Sequence, residues 1–445
     1  MAFSRRETAI LLIGDFLLLG ASLWITLLLR NLAVPRPGYF EGNLIPFIPI
    51  FLISLIIFYV AGLYEKQTSA KRRTMSERIL GAQTANVIIA AIFFFVLPLS
   101  IAPKTILVIY LVVSVLAISF WRFYRMRNEL AEEVRVPAVL VGSGPAVSEV
   151  YEEVRSNGAY VMRFSEHIDT AKLPPGALAK ELAAAIDRGA RMVVLDTRDS
   201  QVAVELPQLY AAMVAGVSFL EFSAVYEDIF DRVPLAHVDY AWLLECLPRE
   251  HSLYDTLKIL FDLVLTLIVG TVALPFVLIA ALLVRISGGP AFIRNERVGK
   301  NGRIIRIYKL RTMLYDDKGD PELRAKNRIT ALGRFLRKTR IDELPQLYNV
   351  LTGDLSFIGP RPELPAIALT YEQEIPFYHL RHLIPPGLSG WAQIHDFDAP
   401  KGGADIERTR RKLSYDLYYL KHRSFGLDLA IALKTLRALL AFSGK

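Results

Sequence analysis

The chain has 445 residues, 53% of them hydrophobic, and a mean hydropathy of +0.34. That length allows two or three domains, and the composition is too apolar for an ordinary soluble enzyme, so a membrane protein is expected. The single cysteine, Cys246, excludes an internal disulfide and a cysteine-cluster zinc site, and reads as a buried, inert thiol in a reducing compartment. The net charge of +8 is concentrated, because residues 285–345 hold 16 Lys and Arg against 7 Asp and Glu. Beside an apolar anchor such a patch fits anionic lipid or a phosphorylated substrate better than nucleic acid.

Four apolar segments open the chain, at Thr8–Leu29, Leu44–Tyr64, Ala82–Ile101 and Thr105–Trp121. Each has about the ~20 residues a helix needs to cross a bilayer, and four transmembrane helices are expected over residues 1–130. A cleaved signal peptide is not expected, since further spans follow the first. Cations flank the spans on one side: Arg5 and Arg6; Lys66, Lys71, Arg72, Arg73 and Arg78; then Arg122, Arg125 and Arg127. Both ends of the bundle should therefore be cytoplasmic. Asp15, at a costly depth within the first span, reads as a bundle-facing contact or as a lipid or ion site.

Residues 135–250 alternate strand and helix. V-P-A-V-L-V-G-S-G-P reads as a buried strand ending in a glycine turn. Ala177–Arg188 and Ala203–Val214 read as helices, and Arg191–Leu195 and Val217–Leu220 as strands. This is a small, doubly wound, Rossmann-like α/β domain. Its turn has Gly142 and Gly144 but Val147 where a dinucleotide fingerprint places its third glycine, so a structural or regulatory module is favoured over dinucleotide binding.

The apolar run Leu257–Val284 poses a topological problem. As a full span it would put the basic region outside, against the positive-inside tendency. Pro275, near its middle, removes a backbone hydrogen bond and crowds the preceding turn. A re-entrant helix–break–helix hairpin over 257–284 is expected, with a Pro-kinked span as the alternative. Leu427–Phe442 has apolar residues with Lys434 and Arg437 at helical spacing, and should lie on the membrane or pack on the hairpin.

The chemistry concentrates in Arg340–Glu363, R-I-D-E-L-P-Q-L-Y-N-V-L-T-G-D-L-S-F-I-G-P-R-P-E. The adjacent acids Asp342 and Glu343 stand among cations: Arg337, Lys309 and Arg311, and Arg361 between two prolines. A carboxylate attacks phosphorus only when repulsion from the phosphate oxygens is neutralised, and Arg suits phosphate through its planar fork. Two acids allow one to act as nucleophile and the other to orient a metal or partner. Taken alone, D-E before Leu-Pro equally fits helix-capping charges. His379 and His382 have metal-ligand chemistry but lack a third ligand at suitable spacing, so packing is favoured. Trp391 should pack rather than read a base.

Residues 255–443 resemble the bacterial sugar transferases, the polyprenyl-phosphate sugar-1-phosphate transferases. The resemblance rests on F-D-L-V-L, R-N-E-R-V-G, I-Y-K-L-R-T-M, the long run from L-G-R-F-L-R-K-T-R-I-D-E to G-P-R-P-E, P-P-G-L-S-G-W-A-Q and Y-D-L-Y-Y-L-K. It implies a monotopic α/β phosphoglycosyl transferase domain over 251–445, behind the four-span bundle and the Rossmann-like domain. It implies that Asp342 is the nucleophile, taking sugar phosphate from a UDP-sugar with loss of UMP before undecaprenyl (polyprenyl) phosphate accepts it. Glu343 would assist with Mg²⁺, the two acids being the metal ligands. Arg337 and Arg361 would hold phosphate, with Lys309 and Arg311 a basic pair near the nucleotide or the membrane. Pro275 would be the membrane break.

The implied setting is the bacterial inner membrane with the catalytic domain cytoplasmic, membrane lipids and possible homo-oligomers as partners, and exopolysaccharide or related glycan assembly as the outcome. Leu274, before the breaking proline, and Pro385, where a basic residue often precedes Pro-Gly, depart from the family pattern. Two other readings remain. A membrane-tethered nucleotide-sugar dehydratase or epimerase would need a catalytic Tyr-x-x-x-Lys, and the spacing occurs only at Tyr254 and Lys258; a non-enzymatic scaffold would not need Asp342.

Overall fold

The computed structural model describes residues 2–440 apart from 62, 65–71, 97–102, 130–134, 159, 161, 215–216, 247–252, 315–327 and 397–404. Lys66, Lys71, residues 97–101 of the expected third span and residues 441–442 of the expected last helix lie outside the described residues. The chain groups into two compact units, Met1–Ile229 and Phe230–Lys445.

The first unit opens with four helices, α1 (Ala2–Asn31), α2 (Pro37–Val60), α3 (Arg72–Val96) and α4 (Pro103–Glu129). Stretches of α1, α2 and α4 are long and apolar enough to cross a membrane. The apolar part of α3 among the described residues is shorter, Ile79–Ala91. It carries Gln83 and Asn86, both buried and hydrogen-bonded to each other at 3.0 Å. Leu19, Leu23, Phe47, Phe51 and Ile118 fill the interior, while Leu17, Leu52, Val112 and Leu116 point outward, an apolar exterior suited to lipid. Asp15 is the structural contact: fully buried, it pairs with Arg122 and accepts from the Tyr64 hydroxyl at 2.8 Å, while Arg122 also donates to the Leu63 carbonyl at 2.8 Å.

The same unit contains β1 (Val136–Val141), α5 (Pro145–Ser156), β2 (Met162–Ile168), α6 (Leu178–Asp187), β3 (Met192–Leu195), α7 (Ser200–Val214), β4 (Ser218–Glu221) and α8 (Phe222–Phe230). The strands form one parallel sheet of order β2-β1-β3-β4. The expected α/β texture is present, with the glycine turn after β1 where the strand order reverses. Strand β2, M-R-F-S-E-H-I, is not announced by the sequence: at the sheet edge only Ile168 is fully buried, so it lacks an apolar run.

The second unit contains α9 (Tyr240–Cys246), α10 (Leu253–Ile286), β5 (Phe292–Val298), β6 (Ile304–Leu310), α11 (Ala331–Thr339), α12 (Leu347–Leu351), β7 (Ser356–Ile358), α13 (Pro365–Glu374), β8 (Gly387–Ser389), α14 (Trp391–His395), α15 (Ile406–His422) and α16 (Phe425–Leu440). The unit begins at Phe230, ahead of the expected domain start near residue 250. Val233, Val238 and Trp242 lie in one core with Tyr371, Trp391, Leu413 and Leu417. The Val233 N–H donates to the Ser414 carbonyl at 3.1 Å, and the Trp391 indole to the Asp231 carbonyl at 2.7 Å. The composition change near 250 marks the start of apolar α10, not the edge of the packed unit. Cys246 is half-buried against this core rather than fully buried.

Two separate helices joined by a break at Pro275 are not what is seen: α10 runs as one helix with Pro275 inside it. It lies along the unit. Its buried residues, Lys258, Asp262, Thr266, Ala273, Ala280 and Val284, are spaced as one helical stripe, while Ile259, Phe261, Ile268, Phe276 and Leu282 are exposed. Near its start Lys258 Nζ is 2.9 Å from Asp428 and Ser356 Oγ 2.6 Å from Asp262; at its end Ala280 and Val284 pack with Leu310 and Leu336. Both ends of this apolar helix therefore rest on one globular unit. Helix α16 packs on it as well, because Asp428, in its first turn, receives Lys258 and the hydroxyls of Tyr254 and Tyr419 at 2.7 Å.

Candidate active site

Glycine and backbone geometry bring the acids into place. Thr330 caps α11 by accepting from the Gly333 N–H at 2.8 Å. A Cβ on Gly333 would lie 2.0 Å from the Thr312 carbonyl oxygen, so only glycine lets α11 approach the chain leaving β6 so closely. Arg340 then ends α11 in the left-handed region at φ +58°, a conformation tolerated where surrounding structure fixes it. The 3₁₀ turn Ile341–Gln346 follows and carries Asp342 and Glu343. Pro345 sits inside that turn.

Asp342 is 8% exposed. Burial foremost, and then the like charge of Glu343, hold its carboxyl above the usual range, opposed by Lys309 and Arg337. Glu343 is pushed the other way: burial raises it, but Lys309, Arg340 and Arg361 outweigh burial and keep it below its ordinary value. Lys309 Nζ lies 2.8 Å from Glu343 Oε1, and Arg340 reaches Oε2 at 3.5 Å. Environment thus separates the two acids: Glu343 is held by cations, and Asp342 is a desolvated neighbour without an ion pair of its own among the described residues.

The other expected residues divide. Arg337 donates through Nε to the Thr312 hydroxyl at 2.8 Å and acts electrostatically on Asp342. Arg361 is exposed, and its charge reaches Glu343. Lys309 and Arg311 are neighbours on the chain but serve different ends. Arg311, 8% exposed, donates to the Val284 carbonyl at 3.3 Å and to the Gly288 carbonyl, fastening the C-terminal end of α10. Tyr254 and Lys258 both converge on Asp428, which accounts for their spacing without redox catalysis.

His382 is buried, and burial followed by the Arg381 charge pulls it down to about 4, so its 3.6 Å approach to Glu372 is not an ion pair at neutral pH. No group of three metal-capable side chains occurs among the described residues. Trp391 packs, with Lys434 4.7 Å above its ring.

Several residues in this constellation carried no signal of their own. Asn349, fully buried, accepts from the Tyr308 N–H at 3.1 Å and donates to the Arg306 carbonyl at 2.8 Å, clamping the strand that carries Lys309 to the helix that follows the acids. A lone amide in the apolar run L-Y-N-V-L is the one trace of it in the sequence. Arg381, 4% exposed, pairs with Asp416 at 2.8 Å and donates to the Arg361 carbonyl at 3.0 Å, fixing the Pro-Arg-Pro loop. Arg297 and Lys412 stand within reach of the Arg361 charge; burial first lowers both.

A desolvated carboxylate, a second acid held by cations and several arginines stand together, an arrangement whose chemistry suits phosphate. Residues 253–442 match the bacterial sugar transferase family, and residues 59–185 match a CoA-binding domain family. The chain belongs to the bacterial sugar transferase family. It is 39% identical over 198 residues to a UDP-glucose:undecaprenyl-phosphate glucose-1-phosphate transferase of Caulobacter vibrioides, covering 43% of this chain and 73% of that protein. It is 37% identical over 258 residues to a UDP-N-acetylgalactosamine-undecaprenyl-phosphate N-acetylgalactosaminephosphotransferase of Aeromonas hydrophila, covering 57% of this chain and 59% of the relative. An exopolysaccharide production protein, PSS, of Rhizobium leguminosarum is 38% identical over 187 residues, covering 40% of this chain and 92% of the relative. The residues matched to the family lie in the C-terminal unit.

Proposed function

We propose that this sugar transferase moves a sugar-1-phosphate from a UDP-sugar to undecaprenyl phosphate at the cytoplasmic face of the inner membrane, through a covalent intermediate on Asp342. The observation that carries the reading is the split between the acids, with Glu343 held by Lys309 and Arg340 beside a desolvated Asp342 that has no ion pair among the described residues. An Asp342 oxygen attacks the phosphorus that bears the sugar; the bond to the bridging oxygen breaks and UMP leaves with the electron pair. An oxygen of the lipid phosphate then attacks the same phosphorus, and the Asp342 carboxylate departs unchanged. Arg337 and Arg361 neutralise phosphate oxygens that would otherwise repel the carboxylate.

The two acids suit Mg²⁺, a hard cation that takes one or two carboxylates and completes its shell with substrate phosphate and water. Bound at Asp342 and Glu343, it would supply further neutralisation of the diphosphate. The two ends of α10 on one globular unit, with the rest of its surface apolar and exposed, support a helix lying at the membrane surface, which keeps the dyad at headgroup level where a water-soluble donor and a lipid acceptor both arrive. The initiation of exopolysaccharide or a related glycan is the role that follows.

The test is intact-mass analysis of the wild type and Asp342→Asn with Mg²⁺ and a panel of UDP-sugars, without lipid. A sugar-phosphate adduct on the wild type alone, discharged by undecaprenyl phosphate, is expected. UMP release by Asp342→Asn at the wild-type rate would overturn the role of Asp342.

A further inference from the structure

The parallel sheet of the first unit carries its glycine turn, Gly142-Ser143-Gly144, at the C-terminal end of β1 beside β3, where the strand order reverses. Such a crevice is where parallel sheets take a nucleotide, its diphosphate resting on backbone N–H groups at the start of the following helix. The match of residues 59–185 to a CoA-binding domain family implies a ligand of that kind. The side chains at the crevice do not fit it.

Asp199, in the loop after β3, stands at the glycine turn. Its Oδ2 accepts from the Ser143 hydroxyl, in the middle of the turn, at 3.0 Å and from the Thr170 hydroxyl just after β2, while Oδ1 accepts from the Gln201 N–H at 2.9 Å. One carboxylate thus ties together β1, β2 and the start of α7. Burial pushes this carboxyl up, but the Thr170 and Ser143 hydroxyls and the Gln201 and Val202 N–H groups outweigh burial and hold it below the ordinary aspartate range.

Asp196, 4% exposed, lies against the same turn. A Cβ on Gly142 would come 2.8 Å from the Asp196 Cβ, so this glycine, at φ +150°, makes room for the chain's own aspartate. The pattern extends along the edge of the sheet. Asp169 accepts from the Ala171 N–H at 3.2 Å, Asp196 from the Arg198 N–H at 3.0 Å and Glu221 from the Ala224 N–H at 2.9 Å. Carboxylates hold these backbone donors, and an incoming diphosphate would meet like charges.

We propose that Asp199 is a built-in anion standing where a ligand phosphate would be, so that this domain holds its crevice closed by itself and takes neither CoA nor a dinucleotide. The α/β domain then works as a ligand-free module, whatever the chemistry at Asp342.

Peptide-resolved hydrogen exchange of the full-length protein tests this, on the wild type, Asp199→Asn and Glu221→Gln. Asn caps a helix about as well as Asp, so Asp199→Asn keeps the acceptor for Gln201 and removes the charge that faces Ser143 and Thr170. Exchange in peptides covering 142–150 and 168–173 should speed up about ten-fold or more in Asp199→Asn, as charge-assisted hydrogen bonds are lost. In Glu221→Gln it should match the wild type, because that carboxylate binds Ala224 at the far edge of the sheet. Millimolar CoA, NAD or ADP should leave exchange of the same peptides in the wild type unchanged. Slower exchange with any of these ligands would overturn the proposal and make the crevice a nucleotide site. Wild-type exchange in Asp199→Asn would reduce Asp199 to a helix cap, and equal acceleration in Glu221→Gln would deny it any special place; either result overturns the proposal as well.

Discussion

In the proposed reaction Asp342 attacks phosphorus only as the anion, yet burial and the neighbouring Glu343 charge both favour its protonated form. Its folded pKa lies above that of an ordinary aspartate, so the rate of adduct formation should fall on acidification at a higher pH than a free carboxylate would give. Glu343→Gln removes the like charge and releases Lys309 toward Asp342, so the acid limb should move to lower pH even as the maximum rate drops. A pH–rate profile of adduct formation checks this, and a limb that moves upward would contradict it. Lys309→Met should lower the rate by about 10²–10³-fold, as loss of an electrostatic stabiliser does, measured by UMP release. Asn349→Ala leaves a buried N–H and carbonyl unpaired, at ~1–3 kcal/mol each, and should lower both the melting temperature and the rate. The acids and cations were legible because charge in an apolar, basic context is conspicuous. Asn349 and Arg381 were not, since what makes them matter is the backbone atom each one meets.

Among the elements, α10 shows best how one segment can answer to two demands. Its stripe from Lys258 to Val284 packs on the unit while the rest of its circumference stays apolar and exposed. Arg311 fastens its C-terminal end through the Val284 and Gly288 carbonyls. Arg311→Met should therefore destabilise the C-terminal unit by about 1.5–3 kcal/mol, the worth of hydrogen bonds from a charged donor, and leave the KM for UDP-sugar unchanged. A variant with normal melting and weakened donor affinity would move Arg311 into the substrate site. The apolar length of α10 and its proline were plain in the sequence. That its two ends rest on one unit was not, because the partners Ser356 and Asp428 lie far along the chain.

For the whole molecule, the division after Ile229 carries a consequence. Val233, Val238 and Trp242 belong to the core that includes Trp391 and Leu417. A fragment spanning 230–445 should fold and form the adduct, whereas one starting at 253 should melt at a lower temperature, having lost three buried apolar side chains worth about 1.5–3 kcal/mol each; thermal melts of the two fragments decide it. By itself the sequence determined the apolar spans, the parallel α/β texture and the acids with their cations. These are local properties: a span is a run of apolar residues, a strand a short periodic pattern, a motif a set of near neighbours. Only the tertiary structure decided that Arg311 caps a helix while Lys309 holds Glu343, that residues 230–246 complete the C-terminal core, and that Ile341 and Leu344, on either side of the acids, line an apolar groove with α10. Each of these depends on which distant backbone or side chain fills the space beside a residue, and that is fixed by packing rather than by spacing along the chain.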